Sequence, residues 1–251
     1  MTIASVSRSL ADRAARDEID AAAVPLLERL PATSRDRMVE AARIERFAPG
    51  TRIFAEGDIP QHLHVVLSGI IDLSCSYKRG EVTALLLARG DVFMPAAAVH
   101  EEPYLVSARP LTAAKILLID AAVVRSETAK SPELALAIAR IIAGQWRVAL
   151  KIILDLKCRS PSQRLAAFLL RLHDAEPRGT IAEVPFSKRQ LASRIGMQPE
   201  TLSRTLQTLA ANGLYVRGRE IIVTDREAID LFCGPAPYSS ASEYELGVHA
   251  L

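Results

Sequence analysis

The chain has 251 residues, nearly half of them apolar, and a formal net charge of only +2. That length suits two domains or one large one, and the charge balance excludes a polycation. Charged residues break every apolar run well before the ~20 residues that a membrane-spanning helix needs. The three cysteines, Cys75, Cys158 and Cys233, lie far apart without zinc-ligand spacing, so free thiols in a reducing cytoplasm are expected.

Residues 1–18 are small, polar and charged, and are read as a flexible N-terminus. Ile19–Leu30 and Ser34–Arg43 read as two short helices around Pro31. From Ile44 the pattern turns to short strands: Arg43–Phe47, Arg52–Ala55, His62–Leu67, Ile70–Tyr77, Val82–Ala88, Tyr104–Arg109 and Ala113–Ile119. Turn signals separate them, among them Pro49-Gly50, Glu56-Gly57-Asp58, Ser68-Gly69, Lys78-Arg79-Gly80 and Arg89-Gly90-Asp91. Such spacing predicts an antiparallel sandwich or barrel. Val92–Val99 is apolar with small residues, and suits a short helix or the wall of a pocket.

Ser131-Pro132 opens a long helix, Glu133 to about Cys158. Leu134, Ile138, Ile141, Gln145, Val148 and Ile152 recur in alternating steps of four and three, as in a coiled-coil seam. A second line runs Ala135, Ala139, Ile142, Trp146, Ala149 and Ile153. A helix with two apolar lines has two partners. The first line is assigned to a second copy of the chain, the second to the strand domain.

Arg159-Ser160-Pro161 reads as a hinge. Ser160 caps the next helix, Ser162–His173, whose Leu165, Phe168, Leu169 and Leu172 form a core face. Glu176–Glu183 reads as a loop. Ser187 then caps another helix, with Gln190 as its capping-box partner. Leu191, Ala192 and Ile195 give that helix its apolar stripe, and Gly196 supplies a sharp turn. A second helix begins near Gln198, with Pro199 in its first turn and Leu202, Leu206 and Leu209 facing inward. Gln198, Glu200, Thr201, Ser203, Arg204 and Gln207 are left facing outward. Tyr215–Val223 reads as a hairpin with Arg217-Gly218-Arg219 at its tip.

This is a helix-turn-helix with a wing, a shape that puts polar side chains near a helix N-terminus into a DNA major groove. Ser187–Arg219 holds six basic residues and one acidic one, whereas Asp17–Lys130 holds 13 basic and 16 acidic. Lys188, Arg189, Arg217 and Arg219 are therefore the candidate phosphate contacts. An ordinary helical hairpin with a solvated face is the bland alternative.

The expected fold is α+β. An antiparallel β-roll (19–130) precedes a dimerisation helix (131–158), a winged helix-turn-helix (159–232) and a flexible tail (233–251). In this order, PGTRIFAEGD, HLHVVLSGIIDL, SPSQRLAAFLLRL and LASRIGMQPETLSRTLQTLAANGL resemble the Crp/Fnr family of bacterial transcription regulators. HLHVVLSG with YLVSARPL, and KCRSPSQRLA, look most like its FtrB-type branch. The resemblance implies a cyclic-nucleotide-binding-like jelly roll that senses an effector, and a homodimer on palindromes with TTGA-type half-sites. RNA polymerase is the implied protein partner. The family's E-x-x-S-R pattern stands here as Glu200, Ser203 and Arg204. Arg204 suits a guanine, Glu200 a cytosine amino group and Ser203 a thymine edge. Gln198 and Thr201 suit phosphate.

The effector chemistry departs from the family's. Where the cyclic-AMP branch clamps the cyclic phosphate with an Arg-Ser pair, this chain has Glu102-Pro103, whose carboxylate repels it. An Fnr-type iron–sulfur cluster needs an N-terminal cysteine group, and residues 1–74 contain no cysteine. Haem stays open, with His62, His64, Cys75, Met94 and His100 as candidate ligands. Phe93, Met94, Leu105, Ile142 and Trp146 are the candidate walls of a small apolar effector pocket. No nucleophile–base pair or phosphate-binding loop points to catalysis. The alternative function is a haem- or small-ligand-binding sensor whose winged helix binds protein.

Overall fold

The computed structural model describes residues 24–28, 30–77, 80–176, 181–184 and 187–235. The readings of a flexible N-terminus, of the tip Lys78-Arg79 and of the tail from residue 236 lie outside these residues; Cys233, read as the start of the flexible tail, is instead the buried last residue of a helix, Arg226–Cys233, because it packs into the core of its unit. The described chain falls into two compact units. One runs to Cys75 and takes in Ala84–Arg147; the other holds Ser76–Thr83 and the described residues from Val148 onward.

In the first unit, α1 (Pro25–Glu28) and α2 (Ala32–Glu40) lead into β1 (Ala42–Phe47). The expected helix Ser34–Arg43 therefore starts and stops earlier. Arg43 pairs with Leu118 as part of a sheet instead. The strands β2 (His62–Ser68), β3 (Ile71–Tyr77), β4 (Gly80–Leu87), β5 (Val92–Phe93), β6 (Ser107–Pro110) and β7 (Ala114–Asp120) form two sheets, ordered β1-β7-β2-β5 and β4-β3-β6. All pairings given for them are antiparallel. Arg52–Ala55 contributes only the isolated bridge of Phe54 with Ala108. Tyr104–Val106 lies outside β6, because the Tyr104 backbone is bonded to a turn instead of a strand: its carbonyl accepts from the Gly57 amide at 2.8 Å and its amide donates to the Asp58 carbonyl at 3.0 Å.

Turn chemistry sets the corners. Gly69 has φ 91°, and a Cβ there would lie 2.6 Å from the Ala113 carbonyl oxygen, so only glycine fits. Val92–Val99 splits into β5 and α3 (Pro95–His100). Met94 and Glu101, the residues flanking α3, both have positive φ, 56° and 59°. Left-handed backbone at such residues costs ~1–2 kcal/mol each, so packing imposes it. Arg125 holds this end of α3: it donates to the Ala98 carbonyl at 2.9 Å and pairs with Glu101 at 2.9 Å. Arg125 belongs to α4 (Ala121–Thr128), a helix the sequence reading did not assign; Asp120 caps it by accepting from the Ala122 and Val123 amides.

The long helix α5 spans Pro132–Cys158. The first apolar line, expected to face a second copy, packs on the roll instead; of the second line, Ile142 packs on the roll as expected, Ala135 and Ala149 are half-buried, and Ala139, Trp146 and Ile153 are exposed. Leu134, Ile138 and Ile141 are buried in one cluster with Leu63, Val65, Leu117 and Ile119 of β2 and β7. Gln145 does not sit in a seam between copies: its side-chain amide donates to the Val92 carbonyl at 2.6 Å. Val148 is buried and Ile152 half-buried. The exposed line is Leu136, Ala139, Ala143, Trp146, Leu150 and Ile153. The sheet edge offers an unpaired carbonyl, and a glutamine amide satisfies it where an apolar residue could not.

In the second unit, α6 (Pro161–Ala175) is capped by Ser160 with Gln163 in a capping box. Leu165, Phe168, Leu169 and Leu172 are buried. Then follow α7 (Lys188–Ile195), α8 (Pro199–Ala211), the hairpin β8 (Leu214–Arg217) and β9 (Glu220–Val223), and α9 (Arg226–Cys233), which the sequence reading also missed. Arg226 staples α9 to α6 through a two-pronged bond to Asp174, at 2.6 and 3.0 Å. Burial alone would raise the Asp174 pKa; the bonds from Arg226 and His173 hold it below the usual carboxylate value.

Candidate nucleic-acid interface

The capping box of α7 forms as its sequence predicts. The Ser187 hydroxyl accepts from the Gln190 amide at 3.3 Å, and Gln190 Oε1 accepts from the Ser187 amide at 2.8 Å. Leu191, Ala192 and Ile195 are buried, while Lys188 and Arg189 are exposed. Gly196 closes the helix at φ 74°. Arg164 of α6 braces this turn, donating to the Ile195 carbonyl at 3.1 and 3.3 Å and to the Arg159 carbonyl at 2.9 Å. Burial lowers its pKa. Sequence reasoning did not single out this brace, since a lone arginine on a helix carries no pattern.

The second helix, α8, starts at Pro199 with Gln198 as its N-cap residue. Leu202, Thr205 and Leu209 face inward, and Leu206 is half-buried. Thr205 sits among apolar neighbours because its hydroxyl donates to the Thr201 carbonyl at 2.9 Å. Gln198, Glu200, Thr201, Ser203, Arg204 and Gln207 are all exposed. The Ser203 hydroxyl donates to the Pro199 carbonyl at 3.4 Å, which leaves its oxygen lone pairs turned to solvent.

The wing tip is a two-residue turn between Arg217 and Glu220, with Gly218 at φ 63°. Arg217 is exposed. Arg219 has a structural task besides its charge: its Nε donates to the Val184 carbonyl at 2.9 Å, and its own carbonyl accepts from the Val184 amide at 2.7 Å. Arg194, one of the six basic residues of this stretch, is turned inward over the Phe168 ring at 5.8 Å. Burial, then the nearby Arg171 charge, lowers its pKa to about 10. Its charge is committed to the domain rather than to a phosphate.

The candidate effector residues do not converge. Phe93 and Met94 belong with Phe54, Tyr104 and Leu118, whereas Ile142 packs against the separate cluster that takes in Leu63 and Ile138. Leu105 is 80% exposed and Trp146 62%. The candidate haem ligands are equally dispersed in environment. His62 Nε2 lies 2.9 Å from an Arg43 guanidinium nitrogen, His100 is exposed and Cys75 half-buried. His64 is 4% exposed, with its ring stacked on Phe93 at 4.8 Å and tilted against Phe54 at 5.2 Å. Desolvation, then His62 and Arg43, lower its pKa to about 3, so it is neutral. Those rings occupy the space beside the imidazole that a planar macrocycle would need. Among the described residues, no group of three or more histidine, cysteine or acidic side chains could hold a metal ion.

Comparison with known proteins agrees with this architecture. Residues 163–231 match the Crp-like helix-turn-helix domain, and residues 44–131 match the cyclic nucleotide-binding domain. The chain belongs to the Crp/Fnr family. It is 27% identical over 195 residues to the nitrogen fixation regulation protein FixK of Azorhizobium caulinodans, covering 73% of this chain and 76% of that one. It is 28% identical over 203 residues to the electron transport regulator A of Shewanella oneidensis, covering 77% and 80%. The structure of FixK2 from Bradyrhizobium japonicum shares the fold, with a TM-score of 0.66 at 20% identity over 75% of this chain and 95% of that one. This Crp/Fnr protein is thus a transcription regulator with a sensing domain and a helix-turn-helix that binds DNA. Among its described residues, no helix is long and apolar enough to cross a membrane.

Proposed function

We propose that the protein works in the cytoplasm as a homodimer that reads palindromes of TTGA-type half-sites, with RNA polymerase as its protein partner. The observation that carries the reading is the exposed face of α8, where Glu200, Ser203 and Arg204 stand together with no inward task except the Ser203 bond to its own helix. Arg204 pairs bidentately with guanine, Glu200 accepts from a cytosine amino group and Ser203 meets a thymine edge. Gln198, Thr201, Lys188, Arg189 and Arg217 bind phosphate and fix the register. Arg219 adds charge while its Nε stays on Val184.

Dimerisation uses the exposed line of α5. Leu136, Ala139, Ala143, Trp146, Leu150 and Ile153 step by three and four, which keeps one stripe facing a partner helix. A twofold dimer sets two recognition helices one DNA turn apart, about 34 Å. The roll does not take a cyclic phosphate, because Glu102 stands where the family's clamp carries arginine.

Fluorescence anisotropy with a TTGA-type palindrome and a scrambled duplex tests this reading. Affinity should fall by about 0.9 log units per log unit of salt for each phosphate contact, and the palindrome should keep its advantage from about 50 to about 200 mM salt. Equal, salt-insensitive binding to both duplexes would overturn it.

A further inference from the structure

Asp155 lies in the last turn of α5 and is buried. Both of its carboxylate oxygens meet an arginine: Oδ1 accepts from Arg159 Nη1 at 3.0 Å, and Oδ2 lies 3.7 Å from Arg171 Nη1 of α6. The Arg159 side chain is buried as well, and its backbone amide donates to the Asp155 carbonyl at 3.1 Å. The Arg159 carbonyl in turn accepts from Arg164, whose other nitrogens hold the Ile195 carbonyl beside Gly196. A continuous chain of bonds thus runs from the end of α5 to the turn between α7 and α8. Arg171 and Arg194 each stand 5.8 Å from the centre of the Phe168 ring. Burial and then the Arg171 charge lower the Arg194 pKa, and the Asp155 charge opposes them. One carboxylate therefore balances cations from the hinge, α6 and α7.

Guanidinium groups keep their charge when buried, so removing the anion among them is costly. The arrangement is also directional. The described residues from Val148 onward form one unit with the reader, and they carry Leu150 and Ile153 of the exposed stripe. Asp155 follows Ile153 by two residues, about 200° around the helix. Stripe and carboxylate therefore face opposite ways, one to solvent and the other to α6. The bonds of Asp155 fix how the reader is turned relative to the stripe.

Resting on the reading of a dimer on palindromic DNA, we propose that Asp155 is a positioning residue: it sets the angle between the α5 stripe and α8, and through it the half-site spacing that the dimer accepts. Two readers held at a fixed angle gain roughly 100- to 10,000-fold in affinity over a single half-site, and lose that gain where the geometry does not match. Lengthening the palindrome by about two base pairs turns one half-site by about 70° around the duplex. With residue 155 neutral, the reader swivels on the hinge and the two spacings bind alike.

The test uses the full-length protein and anisotropy on the palindrome, the lengthened palindrome and a single half-site. Asp155→Asn keeps the side-chain shape and removes the charge. Arg171→Gln removes a half-exposed partner, and it decides the matter if Asp155→Asn does not fold. Arg226→Gln breaks the bond of α9 to Asp174 and controls for lost stability. The wild type and Arg226→Gln should bind the palindrome on the order of tenfold or more tighter than the lengthened one. In Asp155→Asn that ratio should shrink to about threefold or less, with Arg171→Gln in between and half-site affinity unchanged throughout. Undiminished discrimination in Asp155→Asn, or in Arg171→Gln where that variant decides, overturns the proposal. Equal weakening on all three duplexes, or a matching loss in Arg226→Gln, also overturns it, since Asp155 then only stabilises the domain. If the wild type itself binds the palindrome no better than the half-site, the dimeric DNA reading fails and takes the proposal with it. That failure shows in the wild type, the others only in the variants.

Discussion

The Gln145 side-chain amide donates to the Val92 carbonyl at 2.6 Å, and this bond fixes which face of α5 turns to the roll. Leu134, Ile138 and Ile141 lie on the same side and are buried against β2 and β7. The opposite stripe, centred on Trp146 and Leu150, is exposed and is the proposed dimer face. The two faces therefore answer differently to substitution. Leu150→Glu puts a charge in the exposed stripe and should yield a folded monomer in analytical ultracentrifugation, with palindrome binding sharply weakened. Ile138→Ala leaves a cavity in the roll and should cost about 2–5 kcal/mol in urea unfolding. A stable dimer of Leu150→Glu would place the interface elsewhere.

Arg204 stands exposed on α8 beside Glu200 and Ser203. Arg204→Ala should cost about 1–3 kcal/mol per half-site and relax the preference for one base pair in each half-site. Lys188→Ala should weaken all duplexes alike and lower the salt slope by about one contact. Anisotropy on a set of single-base variants of the palindrome separates these two behaviours. Unchanged base preference in Arg204→Ala would remove its recognition role.

The reader was legible in the sequence because its local chemistry is self-sufficient. Ser187 with Gln190, Gly196 with its positive φ and Pro199 in a first turn act within a few residues of themselves. The strands His62–Ser68 and Ile71–Tyr77 were legible for the same reason, since alternation and turn residues mark them. What failed depends on distant partners. The two apolar lines of α5 are equally periodic, and only the Val92 carbonyl distinguishes them. The candidate pocket failed likewise: Phe93 and Ile142 enter separate clusters that sequence spacing cannot separate. Arg164 and Arg226 act through bonds to groups distant in the sequence and leave no motif.

Gly213 links α8 to the wing and tests how far that joint tolerates change. Its φ is 83°, and a Cβ there would meet the Asp225 Cβ at 2.5 Å and the Asp225 backbone nitrogen at 2.8 Å. Its carbonyl also accepts from the Thr224 amide at 2.8 Å. Gly213→Ala therefore combines left-handed strain with a clash against backbone that cannot swing aside. The expected loss is about 2–4 kcal/mol in stability, measured by urea unfolding, with loss of duplex binding. A loss below ~1 kcal/mol would mean that the joint relaxes freely.

His64 makes the roll acid-sensitive. Its folded-state pKa lies near 3 against an ordinary 6.5, because burial among Phe54, Phe93 and Tyr104 disfavours the charged ring. The unfolded chain takes up that proton first, so stability rises with pH between these values. The neutral ring's contribution is complete above pH 6.5 and is lost as pH falls from 6.5 toward 3. Between pH 7 and about 4.5 the loss is on the order of 2–3 kcal/mol. His62 is also held low, by burial and then Arg43, and adds in the same direction. Asp174 titrates below this window, since its depressed pKa lies under the ordinary 3.8. His64→Phe keeps an aromatic ring in the cluster and removes the titration. Its urea midpoint should therefore fall less than that of the wild type between pH 7 and 4.5, leaving the smaller His62 component. Parallel losses in the two proteins would mean that His64 is solvated or paired in solution, and the aromatic cluster would then be open rather than closed.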